Sequence, residues 1–433
     1  VVCDKRGMTR FVQVFGAVLG LVLGLVPAAL PEPPFSTRVV ADGLDNPWEV
    51  LRGPDGYLWV TERTAGRVTR IDPRSGARTV VGTVPSRAAG TQDGLLGMAL
   101  DLPYVYVAYT NGPLNVSRYT YDAAAGTMGE PRDVIVGLPA TIDHVSGRLV
   151  LGPDGKLYLT VGDGGANQFE RACDANLAQD LPVSGSDFTR YQGKILRLNT
   201  DGSVPADNPF LAGVRSHVYS YGHRNAQGIA FDAAGRLYST EQGPKTDDEL
   251  NLIRPGGNYG WPRVAGYRDD KAYVYANWSA APDCRRLAFS DYRIPPSVPR
   301  QKESSFTDLN FVPPLRTFFT VPDDHEFEGE CGHLCWPTIA PSSAEVDNSA
   351  AIEGWEGSVL IPSLKNGAVY RVDRYGKTET LWRTVNRYRD VAVGEDGRTF
   401  FVATDAAGST NDLAGKPTSR LADPGAILEF TAG

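Results

Sequence analysis

The residues best suited to acid–base chemistry lie in Asp143-His144-Val145-Ser146-Gly147-Arg148, just ahead of the apolar run Leu149-Val150-Leu151. An imidazole can take a proton from an alcohol near neutral pH if a partner fixes its tautomer and steadies the charge it gains. Asp143 and Asp163 are the candidate carboxylates, and a histidine that merely packs in a loop fits the same residues. A second polar phrase, Tyr221-Gly222-His223-Arg224-Asn225-Ala226-Gln227-Gly228, runs directly into Ile229-Ala230-Phe231, as a pocket lip entering a strand would. Arg224 suits a carboxylate or a polarised carbonyl oxygen, and equally a salt bridge at the surface or between repeats. Glu241-Gln242-Gly243-Pro244 followed by Asp247-Asp248-Glu249 concentrates oxygen donors of the kind calcium takes. The spacing is not that of an EF-hand, and a solvated acidic turn reads the same way. Lys365, Arg387 and Arg389 add cations from further along the chain, able to converge on one polyanionic cofactor, and Trp336 offers an aromatic face to cover it.

Such scattered residues need a scaffold that brings distant loops to one place, and the chain repeats itself in a way that supplies one. Gly53-Pro54-Asp55-Gly56 leads into Tyr57-Leu58-Trp59-Val60, and Gly152-Pro153-Asp154-Gly155 leads into Lys156-Leu157-Tyr158-Leu159. Asp232-Ala233-Ala234-Gly235 before Arg236-Leu237-Tyr238 and Gly394-Glu395-Asp396-Gly397 before Arg398-Thr399-Phe400 repeat the phrase. Each is a glycine-containing turn followed by a β-rich strand. Tyr104 to Tyr109 and Trp355 to Pro362 read as degenerate copies. A second class of segment, 66–72, 193–199 and 367–373, turns at glycine and leaves through Asp or Asn. Repeated short antiparallel sheets predict an all-β propeller of about six blades, a closer fit than a sandwich. The irregular spacing predicts long loops at 163–192, 245–300 and 321–348, and no long amphipathic helix. Thr37 to Ala41 is expected to pair beside Ala426 to Phe430 and close the ring, hiding its free edges.

The chain has 433 residues, 47 of them glycine and 31 proline, with a formal net charge of -8. No basic tail or long basic run is present, which disfavours nucleic acid as a partner. Lys5, Arg6 and Arg10, then the apolar stretch from Phe11 to Leu30 and the small residues after Pro27, predict a secretory signal peptide over residues 1–29. A retained membrane anchor is the other reading; nothing after Leu30 is apolar for long enough to span a bilayer. Residues 30–433 then form a single exported domain, periplasmic or secreted. Its four cysteines suggest disulfides, Cys173 with Cys284 and Cys331 with Cys335, the rival for the second pair being a metal site with His333. Nucleotide-binding glycine loops, a zinc-protease motif and a nucleophile elbow are all missing from the sequence.

At these residues the chain resembles the soluble quinoprotein glucose dehydrogenases, which use pyrroloquinoline quinone (PQQ), within the wider glucose/sorbosone dehydrogenases. The marks are Thr61-Glu62-Arg63, Gly94-Leu95-Leu96-Gly97, Asp143-His144 with Ser146-Gly147-Arg148-Leu149, and Gly222-His223-Arg224-Asn225. Glu241-Gln242-Gly243-Pro244, Asn258-Tyr259-Gly260-Trp261-Pro262, Cys335-Trp336-Pro337-Thr338 and Asn386-Arg387-Tyr388-Arg389-Asp390 follow in order. The resemblance runs from near Asn46 almost to Phe430. It implies a six-bladed β-propeller enzyme that oxidises an aldose such as glucose at C1 to its lactone.

In that reading His144 is the general base, Asp163 supports it, and hydride passes to C5 of PQQ. Gln92, Asp143, Gln168, Arg224 and Trp336 line the sugar or quinone region, and Asn225, Thr338, Lys365, Arg387 and Arg389 hold the cofactor. The resemblance also implies calcium on the Gly243 and Pro244 carbonyls, with a further calcium region at Glu249, Tyr259, Ala265, Tyr267, Asp269 and Glu303. A homodimer and an external electron acceptor, a soluble cytochrome or a quinone, complete what it implies. The chain departs from the family in the three-residue spacing between Cys331 and Cys335 and in the extra Cys173. A noncatalytic sugar-binding propeller and a metal-dependent lactonase are the other functions such a scaffold admits.

Overall fold

Six antiparallel sheets, each with four strands in its main path, follow one another along the chain of the computed structural model, which describes residues 34–290, 293–327 and 331–433. The segment expected as a signal peptide lies outside the described residues. Blade 1 is Pro47–Arg52, Leu58–Glu62, Arg67–Ile71 and Arg78–Thr83. Blade 2 is Leu95–Asp101, Tyr104–Thr110, Leu114–Asp122 and Arg132–Leu138, and blade 3 is Ser146–Leu151, Leu157–Val161, Lys194–Leu198 and Val218–Tyr221. Blade 4 takes Ala226–Phe231, Leu237–Glu241, Asp248–Ile253 and Arg316–Phe318; blade 5 takes Glu345–Asp347, Ser358–Pro362, Val369–Val372 and Thr378–Leu381. Blade 6 joins Tyr388–Val393, Thr399–Thr404 and Ile427–Ala432 to the N-terminal strand Phe35–Ala41. The first strands of successive blades touch one another around a complete ring.

The repeated phrases of the sequence are the same strand in different blades. The turn-and-strand phrase is the second strand of blades 1, 3, 4 and 6, and the second class of segment is the third strand of blades 1, 3 and 5. Second strands in blades 1, 3 and 4 are buried at every residue. Both faces of a blade pack on neighbouring blades, so these strands read as continuous apolar runs without a polar face. The copy expected from Trp355 starts three residues later, at Ser358, with Trp355 packed in the preceding turn. Closure is as expected: Phe35–Ala41 pairs antiparallel with Ile427–Ala432, and Arg38 bonds Glu429 across that seam at 2.9 and 2.5 Å. Among the described residues the only helical segments are short 3-10 turns.

This topology decides where function can sit. The loops that enter first strands and those that join second to third strands share one face of the ring. The segments 162–193, 242–247, 319–327, 331–344, 363–368 and 405–426 therefore gather around one mouth of the axial channel.

Below that mouth, Arg148 of blade 3 is 2% exposed and fills the channel. It donates to Glu49 at 2.7 Å and to the Trp48 carbonyl at 3.3 Å in blade 1. It also donates to the Gln227 carbonyl of blade 4 at 3.0 Å and to the Ser342 carbonyl ahead of blade 5 at 2.8 Å. Asp390 of blade 6 lies 3.4 Å away and accepts from the Val50 amide at 2.7 Å. Burial alone would lower the guanidinium's pKa, but Glu49 and Asp390 outweigh it and hold the pKa up. Removing this one side chain leaves two carboxylates buried beside an empty volume. Arg148→Met is expected to cost about 3–5 kcal/mol of unfolding free energy in chemical denaturation; a loss below about 1 kcal/mol would mean the ring closes without it.

Candidate active site

A cavity of about 510 Å³ opens at the channel mouth. Its wall carries Gln92 from the loop entering blade 2, His144 entering blade 3 and Arg224 entering blade 4. Gly243 and Pro244 come from the second-to-third-strand loop of blade 4, and Lys365 from the matching loop of blade 5. Trp336 and Thr338 lie between blades 4 and 5, and Arg387 and Arg389 at the start of blade 6. Asp143 and Gln168 complete the expected residues on the wall. Asp163 and Asn225 are fully buried just behind it.

His144 is buried, with its backbone in the left-handed region at φ 45°. Its Nδ1 lies 2.7 Å from Asp163 Oδ1. The loop carrying Asp163 can approach because residue 162 is glycine: a Cβ there would sit 1.8 Å from the His144 carbonyl oxygen. Asp163 also accepts from the Gly165 amide at 2.8 Å, Trp261 Nε1 at 2.7 Å and Asn176 Nδ2 at 3.0 Å. Burial would raise the Asp163 pKa, but His144, Arg224 and the Gly165 amide together pull it below the usual carboxylate range. The carboxylate therefore stays ionised against the imidazole, which lies on the cavity wall.

Arg224 is 7% exposed. Its Nη2 donates to Gln168 Oε1 at 2.6 Å and its Nη1 to the Gln242 carbonyl at 3.1 Å, while its buried Nε has no partner. Among the described residues no carboxylate lies within ion-pair distance of it, which rules out the salt-bridge reading. Gln92 donates to Asp143 Oδ1 at 2.5 Å, and its Oε1 accepts from Asn225 at 2.9 Å and Gln227 at 3.2 Å. Asn225 thus braces the wall from behind and donates also to Gln242 Oε1 at 3.1 Å.

On the far side, Lys365 donates to the Trp336 carbonyl and to Thr338 Oγ1, the latter at 3.0 Å. Burial pushes its pKa down to about 8, partly offset by Asp248. Arg389 grips Asp405 through Nε at 2.8 Å and Nη2 at 2.9 Å, Arg387 Nε reaches the same carboxylate at 3.0 Å, and Arg389 lies 4.3 Å over the Trp48 ring. Asp405 was invisible as a site residue in sequence, because nothing local marks the acid that follows a second strand. Phe169, Gln227 and Gln242 also line the cavity without having been singled out for it.

The acidic run is not a solvated turn. Asp247, Asp248 and Glu249 are 2%, 1% and 7% exposed, and the last two begin a strand. Asp248 lines the cavity and accepts from the amides of Gly243, Ile339 and Ala340 at 2.7–2.8 Å; burial still raises its pKa to about 7. The residues expected at a further calcium site gather loosely. Glu249 accepts from the Gly266 amide at 2.7 Å and Glu303 from the Ala265 amide at 2.9 Å, both carboxyls pushed up by burial. Tyr267 and Asp269 line a shallow depression nearby, whereas the Tyr259 ring stacks on His223 and its hydroxyl donates to the Leu252 carbonyl. Among the described residues no three His, Cys, Asp or Glu side chains converge tightly enough to hold a metal by themselves.

Both disulfides form, Cys173–Cys284 and Cys331–Cys335, so the metal site with His333 is excluded. Among the described residues no helix is long and apolar enough to cross a membrane.

The wall fits PQQ, a flat ring system bearing three carboxylates. Cations reach the cavity from three blade entrances and loops, and Arg224 keeps an unsatisfied buried donor. Gly243 and Pro244 offer neutral carbonyl oxygens, hard donors of the kind calcium takes, to a site whose negative charge a ligand would bring.

Comparison with known proteins agrees with this architecture. The family model described as glucose/sorbosone dehydrogenase matches residues 44–292 and 321–412. Quinoprotein glucose dehydrogenase B of Acinetobacter calcoaceticus is 43% identical over 92% of this chain and 91% of its own length. Aldose sugar dehydrogenase YliI of Escherichia coli is 32% identical over 52% of this chain and 62% of its own. Among solved structures, the PQQ-bound aldose sugar dehydrogenase from Streptomyces coelicolor superposes with a TM-score of 0.64 at 27% identity, covering 92% of this chain and 99% of that one. The chain belongs to the glucose/sorbosone dehydrogenase family.

Proposed function

We propose that the protein oxidises the anomeric carbon of an aldose, glucose among them, to a lactone, with PQQ and calcium bound at the channel mouth. The observation that carries this reading is the His144–Asp163 pair, 2.7 Å apart, on the wall of a cavity that also presents Arg224, Lys365, Arg387 and Arg389. When bound, PQQ would supply a two-electron acceptor for the hydride of sugar C1, with a soluble cytochrome or a quinone as the external electron acceptor. Everything else falls to the chain. His144 Nε2 receives the proton of the anomeric hydroxyl, and the ionised Asp163 steadies the imidazolium. Gln92, Asp143 and Gln168 offer a donor and acceptor set suited to sugar hydroxyls, and Trp336 offers an apolar face. Thr338, Lys365, Arg387 and Arg389 hold the carboxylates of the cofactor, Asn225 fixes Gln92 and Gln242 on the opposite wall, and Arg224 orients a carboxylate or carbonyl oxygen.

Calcium would sit on the Gly243 and Pro244 carbonyls. A further ion beside Glu249, Ala265, Asp269 and Glu303 would offset the burial, and after it the neighbouring carboxylates, that push the two glutamates up, with Tyr259 and Tyr267 near it and a homodimer built on that surface. The two disulfides support export to the periplasm or beyond.

Apo-protein given PQQ and calcium is expected to reduce a dye when supplied with aldoses; omission of either cofactor should abolish the signal, and silence across a sugar panel would overturn the reading. His144→Ala is expected to lower kcat by about 100-fold or more with PQQ affinity unchanged; equal turnover would remove His144 as the base. Lys365 loses its charge as pH rises through about 8, and an anion binds the charged form. Calorimetric PQQ affinity should therefore fall between about pH 7 and 9, and Lys365→Met should bind more weakly with a flatter profile; an equally steep profile in the variant would assign the effect elsewhere.

A further inference from the structure

Two insertions outside the blades meet beside the cavity and build a small core of their own. Ala172 from the first packs with Ala276, Trp278, Ala281 and Val298 from the second, and Cys173–Cys284 joins them across 111 residues. The last residues of the cavity wall before this core are Gln168 and Phe169. Gln168 holds two functional groups at once, accepting from Arg224 Nη2 at 2.6 Å and reaching Asp163 Oδ2 through Nε2 at 3.5 Å.

Its backbone is not one the chain would adopt unaided. Gln168 is extended at φ -140°, but its neighbours Asn167 and Phe169 are both left-handed, at φ 66° and 45°. A bulky residue such as Phe169 is strained there and persists where surrounding structure over-determines it, while asparagine tolerates the region better. The second insertion supplies that structure. Asn167 Nδ2 donates to the Ala276 carbonyl at 2.8 Å, the Ser279 amide donates to Asn167 Oδ1 at 3.2 Å, and the Phe169 ring lies 5.1 Å from that of Phe289. The disulfide sits four residues beyond Phe169.

We infer that Asn167 and the Cys173–Cys284 disulfide are positioning residues: they clamp Gln168, and through it set Arg224 and the Asp163–His144 pair for the oxidation proposed above. The clamp rests on that reading for its kinetic consequence, although its effect on Arg224 is independent of it. A clamp acting through one side chain predicts non-additivity.

The test is a double-mutant cycle. Cys173→Ser with Cys284→Ser, and separately Asn167→Gly, are placed in the parent and in Gln168→Ala. Asn167→Gly keeps the left-handed backbone at no steric cost while deleting both amide bonds, so it stands if the cysteine variant folds poorly. Two quantities are read: kcat/KM for glucose in the reconstituted protein, and PQQ affinity of the apo-protein from tryptophan quenching. Each clamp variant is expected to lower kcat/KM about tenfold in the parent and less than about twofold in the Gln168→Ala background, with affinity following the same pattern. Equal losses in both backgrounds would show that the insertions only stabilise the fold, and no loss in the parent would show that Gln168 holds itself; either overturns the clamp. If the unmutated protein binds PQQ but oxidises no sugar, the proposed function fails while the affinity cycle still decides the clamp.

Discussion

A single guanidinium at the axis holds the ring to itself. Arg148 leaves blade 3 and is bound by blades 1 and 4, by the strand approaching blade 5, and, through Asp390, by blade 6. A propeller has no central hydrophobic core, because its innermost strands diverge around a channel. A planar cation with five donors can reach several carbonyls and carboxylates at once, which an apolar plug of the same size could not do. The site above inherits its floor from this arrangement. Trp48, whose carbonyl Arg148 binds, carries Arg389 on its ring, and Arg389 faces the cavity.

The site is built from buried charge held in deficit. Asp163 is saturated with donors and stays ionised, and Asp405 is shared by two arginines. Arg224 and Lys365 are held mainly by neutral oxygens. Arg224 and Lys365 thus face the cavity without a carboxylate in ion-pair contact among the described residues, while Arg387 and Arg389 share the single charge of Asp405. The cost of holding these cations is met by the rigidity of the blades, since loops anchored at both ends to buried strands lose little further freedom.

Much of this was legible in the chain. The turn-and-strand phrase repeats because each second strand packs on both faces, so its pattern is dictated locally and survives in blades 1, 3, 4 and 6. The ring closure could be read from the terminal strands, and the closeness of Cys331 to Cys335 suggested the cysteine pairing that an even count alone leaves open. The residues lining the mouth were legible through ordered motifs at blade entrances, because entry loops must place short polar phrases directly before inner strands. The acidic run admits a solvated turn as readily as a buried one, since three adjacent acids look the same whether water or amide groups satisfy them; here Asp248 is held by three backbone amides.

What the sequence by itself determined was therefore the set of strands, their turns and the chemistry carried at each blade entrance, all properties of short contiguous stretches. Only the tertiary structure decided that Asp163 rather than Asp143 partners the His144 ring, that Asp405 binds both Arg387 and Arg389, and that Arg148 is the axial bolt. The reason is distance along the chain. The hydrogen bonds among these contacts join residues separated by 16 to 194 positions, and which separations close depends on how blades pack around the axis, a geometry no local pattern encodes.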